Sequence, residues 1–155
     1  MVDRAGAADV AMGAVADLEA RLAFVREFAV TSPYYKAMGM ELAEVADGRA
    51  VLRLTVQPTQ LNADGVLHGG VLPAIADGAM GNALRTLNGD AAQVLTAEVS
   101  IRYLRPVRGG VLLAEGRVVQ SGRRLSFAEV EIRDEANGKA VARGSGVFVI
   151  QMHQA

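Results

Sequence analysis

Apolar residues recur at three- and four-residue spacing at Val15, Leu18, Leu22, Val25 and Phe28, with Asp17, Glu19, Arg21 and Arg26 between them. That spacing predicts an amphipathic helix whose stripe packs on a sheet. In "TSPYYKAMG", Ser32 ahead of Pro33 predicts the cap of a short second helix, and Gly39 its stop. "MELAEVADGRAVLRLTV" then reads as two short strands about the Asp47-Gly48 turn signal.

After the loop "QPTQLNADGVLHGG", residues 70–87 read as a helix ended by the Asn88-Gly89 breaker. Four strand-like runs follow, "AQVLTAEVSIRYLRP", "VLLAEGRVVQSG", "RRLSFAEVEIRD" and "KAVARGSGVFVI", divided by Gly109-Gly110, Ser121-Gly122 and Asn137-Gly138 as antiparallel connections. In the first run, strict alternation puts Leu95, Ala97, Val99, Ile101 and Tyr103 on a core face, and Thr96, Glu98, Ser100 and Arg102 on a polar one. The order is helix, two strands, central helix, four strands, which is an α+β arrangement with an antiparallel sheet and a helix against it.

Length adds that 155 residues suffice for a single domain with its own core. A formal net charge of −1 gives no basic excess for nucleic acid. The absence of cysteine excludes disulfides, thiolate metal sites and a cysteine nucleophile, and fits the cytoplasm. With His68 and His153 the only histidines, no metal centre is expected, and no cofactor is called for. Asp3, Asp9, Asp17 and Glu19 interrupt the alanine-rich start, so neither a signal peptide nor a membrane span is expected there.

The central helix is where composition and chemistry diverge. Gly78 and Gly81 weaken it by about 1 kcal/mol each relative to alanine, which close approach of neighbouring backbone would offset. Asp77 is the single ionisable residue from Gly69 to Leu84, flanked at helical spacing by Pro73, Ala74, Met80, Gly81 and Leu84. A carboxylate in such company is a candidate functional group; the plainer reading is a solvated Asp at the helix surface, or one tied to an arginine such as Arg85.

Gly69 and Gly70 leave the first helical amides without a side-chain cap, so these donors are available to a phosphate, a carboxylate or a developing oxyanion, unless the pair is simply a turn. His68 reads as a loop-locking histidine ahead of a catalytic base, and Asn62 as a loop residue or a holder of water or a carbonyl. Gly70 and Asp77 are seven residues apart, roughly 10 Å along one helix. Both must come within roughly 3 Å of reacting atoms to act on one carbonyl, so a two-fold dimer with antiparallel helices is the simplest way to join them.

"N-A-D-G-V-L-H-G-G", followed nine residues after the histidine by Asp77, resembles the signature of the hotdog-fold acyl-CoA thioesterases, in the phenylacetic acid degradation branch. The resemblance runs from "SPYYKAMGMEL" to the last strand and agrees with the element order above. It implies a hotdog fold, residues 39–151 wrapping a sheet around the central helix, preceded by a helical segment, 1–38. It also implies a homo-oligomer, a dimer or dimer of dimers, acting on acyl-CoA.

Carried onto this chain, the resemblance makes Asp77 the general base or nucleophile at the thioester carbonyl. Gly69, with Gly70, would polarise the thioester oxygen, Asn62 would orient water or thioester, and His68 would hold the loop. Thr96 falls where related enzymes place a hydroxyl that positions the water. Position 81, a hydroxyl in some relatives, is Gly here, which favours the Asp branch over the Glu one. For the CoA nucleotide, Arg105, Arg108, Arg123, Arg124 and Arg143 are candidates by charge and loop position. Competing readings are a hotdog dehydratase acting on a 3-hydroxyacyl thioester, which would need His68 as catalytic partner, and a noncatalytic acyl-CoA-binding protein.

Overall fold

The structure, a computed structural model, describes residues 4–153, with side chains from residue 17 onward. The first helix, α1, spans Arg4–Thr31, and α2 spans Pro33–Met38. The Ser32 hydroxyl accepts the Tyr35 amide at 3.3 Å and opens α2, while Gly39 closes it at φ 70°, a left-handed conformation that suits glycine. Strands β1 (Met40–Ala46) and β2 (Arg49–Thr55) form the expected hairpin about Asp47-Gly48. The central helix α3 covers Val71–Asn88, one residue later than expected at each end. Strands β3 (Ala92–Tyr103), β4 (Val111–Ser121), β5 (Leu125–Asp134) and β6 (Ala140–Met152) complete the chain.

All strand pairings are antiparallel, in one six-stranded sheet of order β1-β2-β4-β5-β6-β3. The β4–β5 and β5–β6 connections are hairpins, but Gly109-Gly110 is not at one. The chain leaves β3 at one edge and re-enters the sheet at β4 beside β2. β3 pairs with β6 alone, which leaves its other side as a sheet edge. The sheet curls about α3, which touches all six strands. Leu52, Leu54, Ile75, Met80, Leu84, Leu112, Ile132 and Phe148 are fully buried between them; each such side chain contributes about 1.5–3 kcal/mol of burial.

Three expectations change on contact with the structure. The first concerns α1, which packs across α3 and the β1 edge, not on a sheet face. Leu22, Val25 and Ala29 are its buried positions; Asp3 and the side chains of Asp9 and Val15 lie outside the described residues.

The second concerns the glycines. Those of α3 admit side chains: a β-carbon on Gly78 would meet Leu52 Cδ1 at 2.7 Å and the Tyr35 hydroxyl at 2.8 Å, and one on Gly81 would meet Arg85 Nη1 at 3.0 Å. The close backbone approach is made from the sheet side. A β-carbon on Gly116 of β4 would stand 2.5 Å from the Ala79 carbonyl.

The third concerns β3. Its ladder with β6 pairs Thr96 with Phe148 and then Glu98 with Val147, leaving Ala97 as an unpaired bulge. One extra residue reverses the alternation. Val94 faces α3 before the bulge, and so does Thr96, which reaches Asp77; Val99 and Ile101 pack against the core after it. Leu95, assigned to the core by strict alternation, is 45% exposed, while Tyr103 keeps the phase of Val99 and Ile101 but stands at the end of the strand, 55% exposed.

Candidate active site

Asp77 sits in the second turn of α3, on the least buried stripe of that helix, with Pro73, Ala74 and Arg85. It is half-buried, not enclosed. Its partner is Thr96, whose hydroxyl donates to Asp77 Oδ1 at 2.6 Å. The β3 bulge produces this contact by turning Thr96 toward α3. Arg85 makes no ion pair with Asp77, so the alternative of a simple Asp–Arg tie fails.

Behind Asp77 lies a polar cluster that the sequence pattern did not reveal. Asn82 is fully buried, and its Nδ2 donates to the Tyr35 hydroxyl at 3.0 Å, while its Oδ1 has no partner. Burial pushes the Tyr35 phenol above its ordinary value, against the pull of Arg85 and Asn82. Burial pushes the Arg85 guanidinium below its ordinary value, with Tyr35 and Asp77 opposing.

At the start of α3 the loop is tied by its own side chains. His68 Nδ1 accepts the Gly70 amide at 3.0 Å, and the His68 amide donates to Gln60 O at 2.8 Å. A ring nitrogen that accepts carries no proton, so the neutral His68 is protonated on Nε2. His68 therefore occupies the loop-locking position, and it takes up one of the two proposed oxyanion donors. The Gly69 amide makes no hydrogen bond among the described residues. Asn62 Oδ1 accepts the amides of Asp64 and Val66, both at 3.0 Å, which fixes the 62–66 turn. Its Nδ2 makes no such bond, so one residue shapes the loop and still presents a donor.

Tyr103 joins this end unannounced by its sequence. Its hydroxyl donates to Gly69 O at 2.6 Å, and with Val66, Leu67, Leu72, Leu104 and Arg105 it lines a cleft of about 320 Å³ beside the helix start. The long-range pairing of the β3 terminus with α3 decides its place, and no local pattern encodes that.

Within one chain these two groups of residues stay apart. Asp77 and Thr96 lie at the second turn of α3, while Asn62, His68, Gly69 and Gly70 lie at its start; eight residues of rise separate Gly69 from Asp77, roughly 12 Å. A half-buried carboxylate with a hydroxyl partner, and an unpaired amide at a helix N-terminus, are the parts of acyl-transfer chemistry.

The sequence profile of the thioesterase superfamily matches residues 64–141, from the loop before α3 into β6. The chain belongs to the thioesterase superfamily. Among its relatives, the medium/long-chain acyl-CoA thioesterase YigI of Escherichia coli is 31% identical over 140 residues, covering 80% of this chain and 90% of that one. Human acyl-coenzyme A thioesterase 13 is 29% identical over 104 residues, covering 66% and 74%. Among solved structures, a mutant of the phenylacetic acid degradation protein PaaI from Thermus thermophilus aligns with a TM-score of 0.69 at 30% identity, covering 76% of this chain and 98% of that one. The sheet wrapped on α3 is the hotdog fold of the superfamily.

The arginines divide by position within this thioesterase fold. Arg105 donates to Ala140 O, and Arg108 to Asp64 O at 3.2 Å and Gly65 O at 3.4 Å, so both stand at the helix-start end. Arg123 and Arg124 lie exposed at the β4–β5 turn. Arg143 is elsewhere: it pairs with Glu131 at 2.7 Å on the sheet face turned away from α3. Among the described residues, no helix is long and apolar enough to cross a membrane.

Proposed function

We propose that this chain hydrolyses an acyl-CoA thioester to the free acid and CoA, at a site shared between two copies. The observation that carries the reading is the Thr96–Asp77 hydrogen bond on the open stripe of α3, about two helical turns from the unpaired Gly69 amide. Asp77 of one subunit acts as base or nucleophile. The Gly69 amide of the other receives the oxyanion, as the +0.5 end of a helix favours.

In the water-activated form, Asp77 takes a proton from water held with the help of Thr96, and the hydroxide adds to the thioester carbon. The C–S bond then breaks, and the proton held by Asp77 passes to the departing sulfur, which releases CoA as the thiol and restores the carboxylate. Asn62 Nδ2 and the Gly69 amide hold the carbonyl; Gly70 contributes to loop geometry through His68 instead of donating to substrate. Arg105, which lines the helix-start cleft, and Arg108, bonded to the loop at Asp64 and Gly65, suit the phosphates of CoA better than Arg143, which Glu131 neutralises.

The open edge of the sheet supports the two-copy reading. β3 is an edge strand of twelve residues with unpaired backbone groups along one side, the kind of edge that adds another strand. On the outer face of the sheet, exposed Leu95, Leu125, Phe127 and Val119 gather on neighbouring strands and suit a further dimer–dimer contact. The tie between His68 Nδ1 and Gly70 speaks against the dehydratase reading, which needs that histidine for chemistry. A thiol-release screen over aryl and fatty acyl-CoAs, run with Asp77→Asn alongside, tests the proposal. Asp77→Asn is expected to keep fold and assembly while losing roughly 10²-fold or more in turnover; wild-type turnover in the variant overturns it.

A further inference from the structure

Arg85 has a setting that the proposed chemistry leaves unexplained. Its guanidinium stands 4.1 Å over the Phe28 ring of α1, and Nη2 makes one long hydrogen bond, 3.4 Å to Val94 O. It forms no ion pair among the described residues. A half-buried cation with five donors and so little bonding is costly unless a charge nearby supports it.

Two geometric facts direct that cation at Asp77. On α3 the guanidinium folds back over Gly81, where a β-carbon would lie 3.0 Å from Nη1. Gly81 is one turn beyond Asp77, about 6 Å along the axis. On the facing strand, Val94 receives Arg85 and Thr96 holds Asp77. Val94 and Thr96 stand two residues apart on one side of the strand, so Arg85 and Asp77 meet neighbouring positions of the same strand face. Among the described residues, the other titratable group facing this pocket is the Tyr35 hydroxyl of α2; β3 contributes uncharged Thr96, and α1 the Phe28 ring.

We infer that Arg85 is a positioning residue for the reaction at Asp77, its guanidinium, set on the same side of the α3–β3 gap, holding the carboxylate in place by charge once acyl chain and second subunit close the site. The inference rests on Asp77 being the acid-base group proposed above. Gly81 makes the arrangement possible, since a side chain there would occupy the guanidinium's space.

The test is kcat and KM for thiol release from one acyl-CoA that the wild type turns over. Arg85→Met keeps the length and loses the charge; kcat should fall about 10-fold with KM within about 2-fold. Arg85→Lys keeps the charge and should stay within about 3-fold of wild-type kcat. Gly81→Ala, which displaces only the far end of a flexible arginine, should lower kcat, and adding Arg85→Met should lower it little further. In an Asp77→Asn background, Arg85→Met should change nothing. Wild-type kcat in Arg85→Met, a rise in KM alone, or Arg85→Lys falling as far as Arg85→Met overturns the inference. Should Arg85→Met not fold, Gly81→Ala decides, with wild-type kcat the refuting result. Full activity of Asp77→Asn alone would instead refute the role of the acid, a separate failure.

Discussion

The Thr96 hydroxyl donates to the Asp77 carboxylate at 2.6 Å, across the gap between β3 and α3. That bond fixes one carboxylate oxygen and leaves the other for water or carbonyl. Removing it by Thr96→Ala is expected to lower kcat about 10-fold, while Thr96→Ser stays close to wild type, as read by thiol release. Equal loss in both variants would point to packing of the threonine methyl instead.

The same bond shows how far the sequence reaches. The Asp47-Gly48 hairpin, the Ser32 cap and the span of α3 were legible because each is written in a few adjacent residues. The polar assignment of Thr96 was legible only in part. Alternation has no means of registering a bulge at Ala97, which arises from how β3 pairs with β6 about fifty residues later. For the same reason Tyr103 at Gly69, and Arg85 folded over Gly81, emerge only in three dimensions.

His68 holds the loop through the Gly70 amide. His68→Ala is therefore expected to raise amide hydrogen exchange over residues 60–71 and to reduce turnover by roughly tenfold, with the thermal midpoint little changed. Loss of activity with unchanged exchange would assign His68 a chemical part instead.

Gly116 is where β4 meets α3. A methyl group there would stand 2.5 Å from the Ala79 carbonyl, and backbone cannot yield as a side-chain tip does. Gly116→Ala is expected to destabilise the fold by about 1–3 kcal/mol in a denaturant titration. An unchanged midpoint would mean that the helix moves off the sheet freely.

Glu115 carries the clearest pH signal. The hydrogen bond from Arg49 at 3.0 Å holds its carboxyl below the ordinary range, against the cost of burial, and Arg117 adds to it. A depressed carboxyl stabilises the fold above its unfolded value and loses that contribution as pH falls through the folded one. Glu115→Gln should therefore melt lower than wild type at pH 7, with the two converging in acid. A gap that persists at low pH would contradict a charge origin.

One subunit is expected to supply Asp77 and the other the Gly69 amide. Gly69→Pro deletes that N–H, which has no partner among the described residues, and fixes φ at the turn, so no internal hydrogen bond recorded there is lost. Asp77→Asn and Gly69→Pro should each be inactive as purified proteins. Unfolded together and refolded as an equal mixture, they should regain about a quarter of wild-type thiol release, since half the dimers are mixed and each of those holds one intact site. A mixture as inactive as its parents, with mixed dimers demonstrably present, would contradict a site built across the interface.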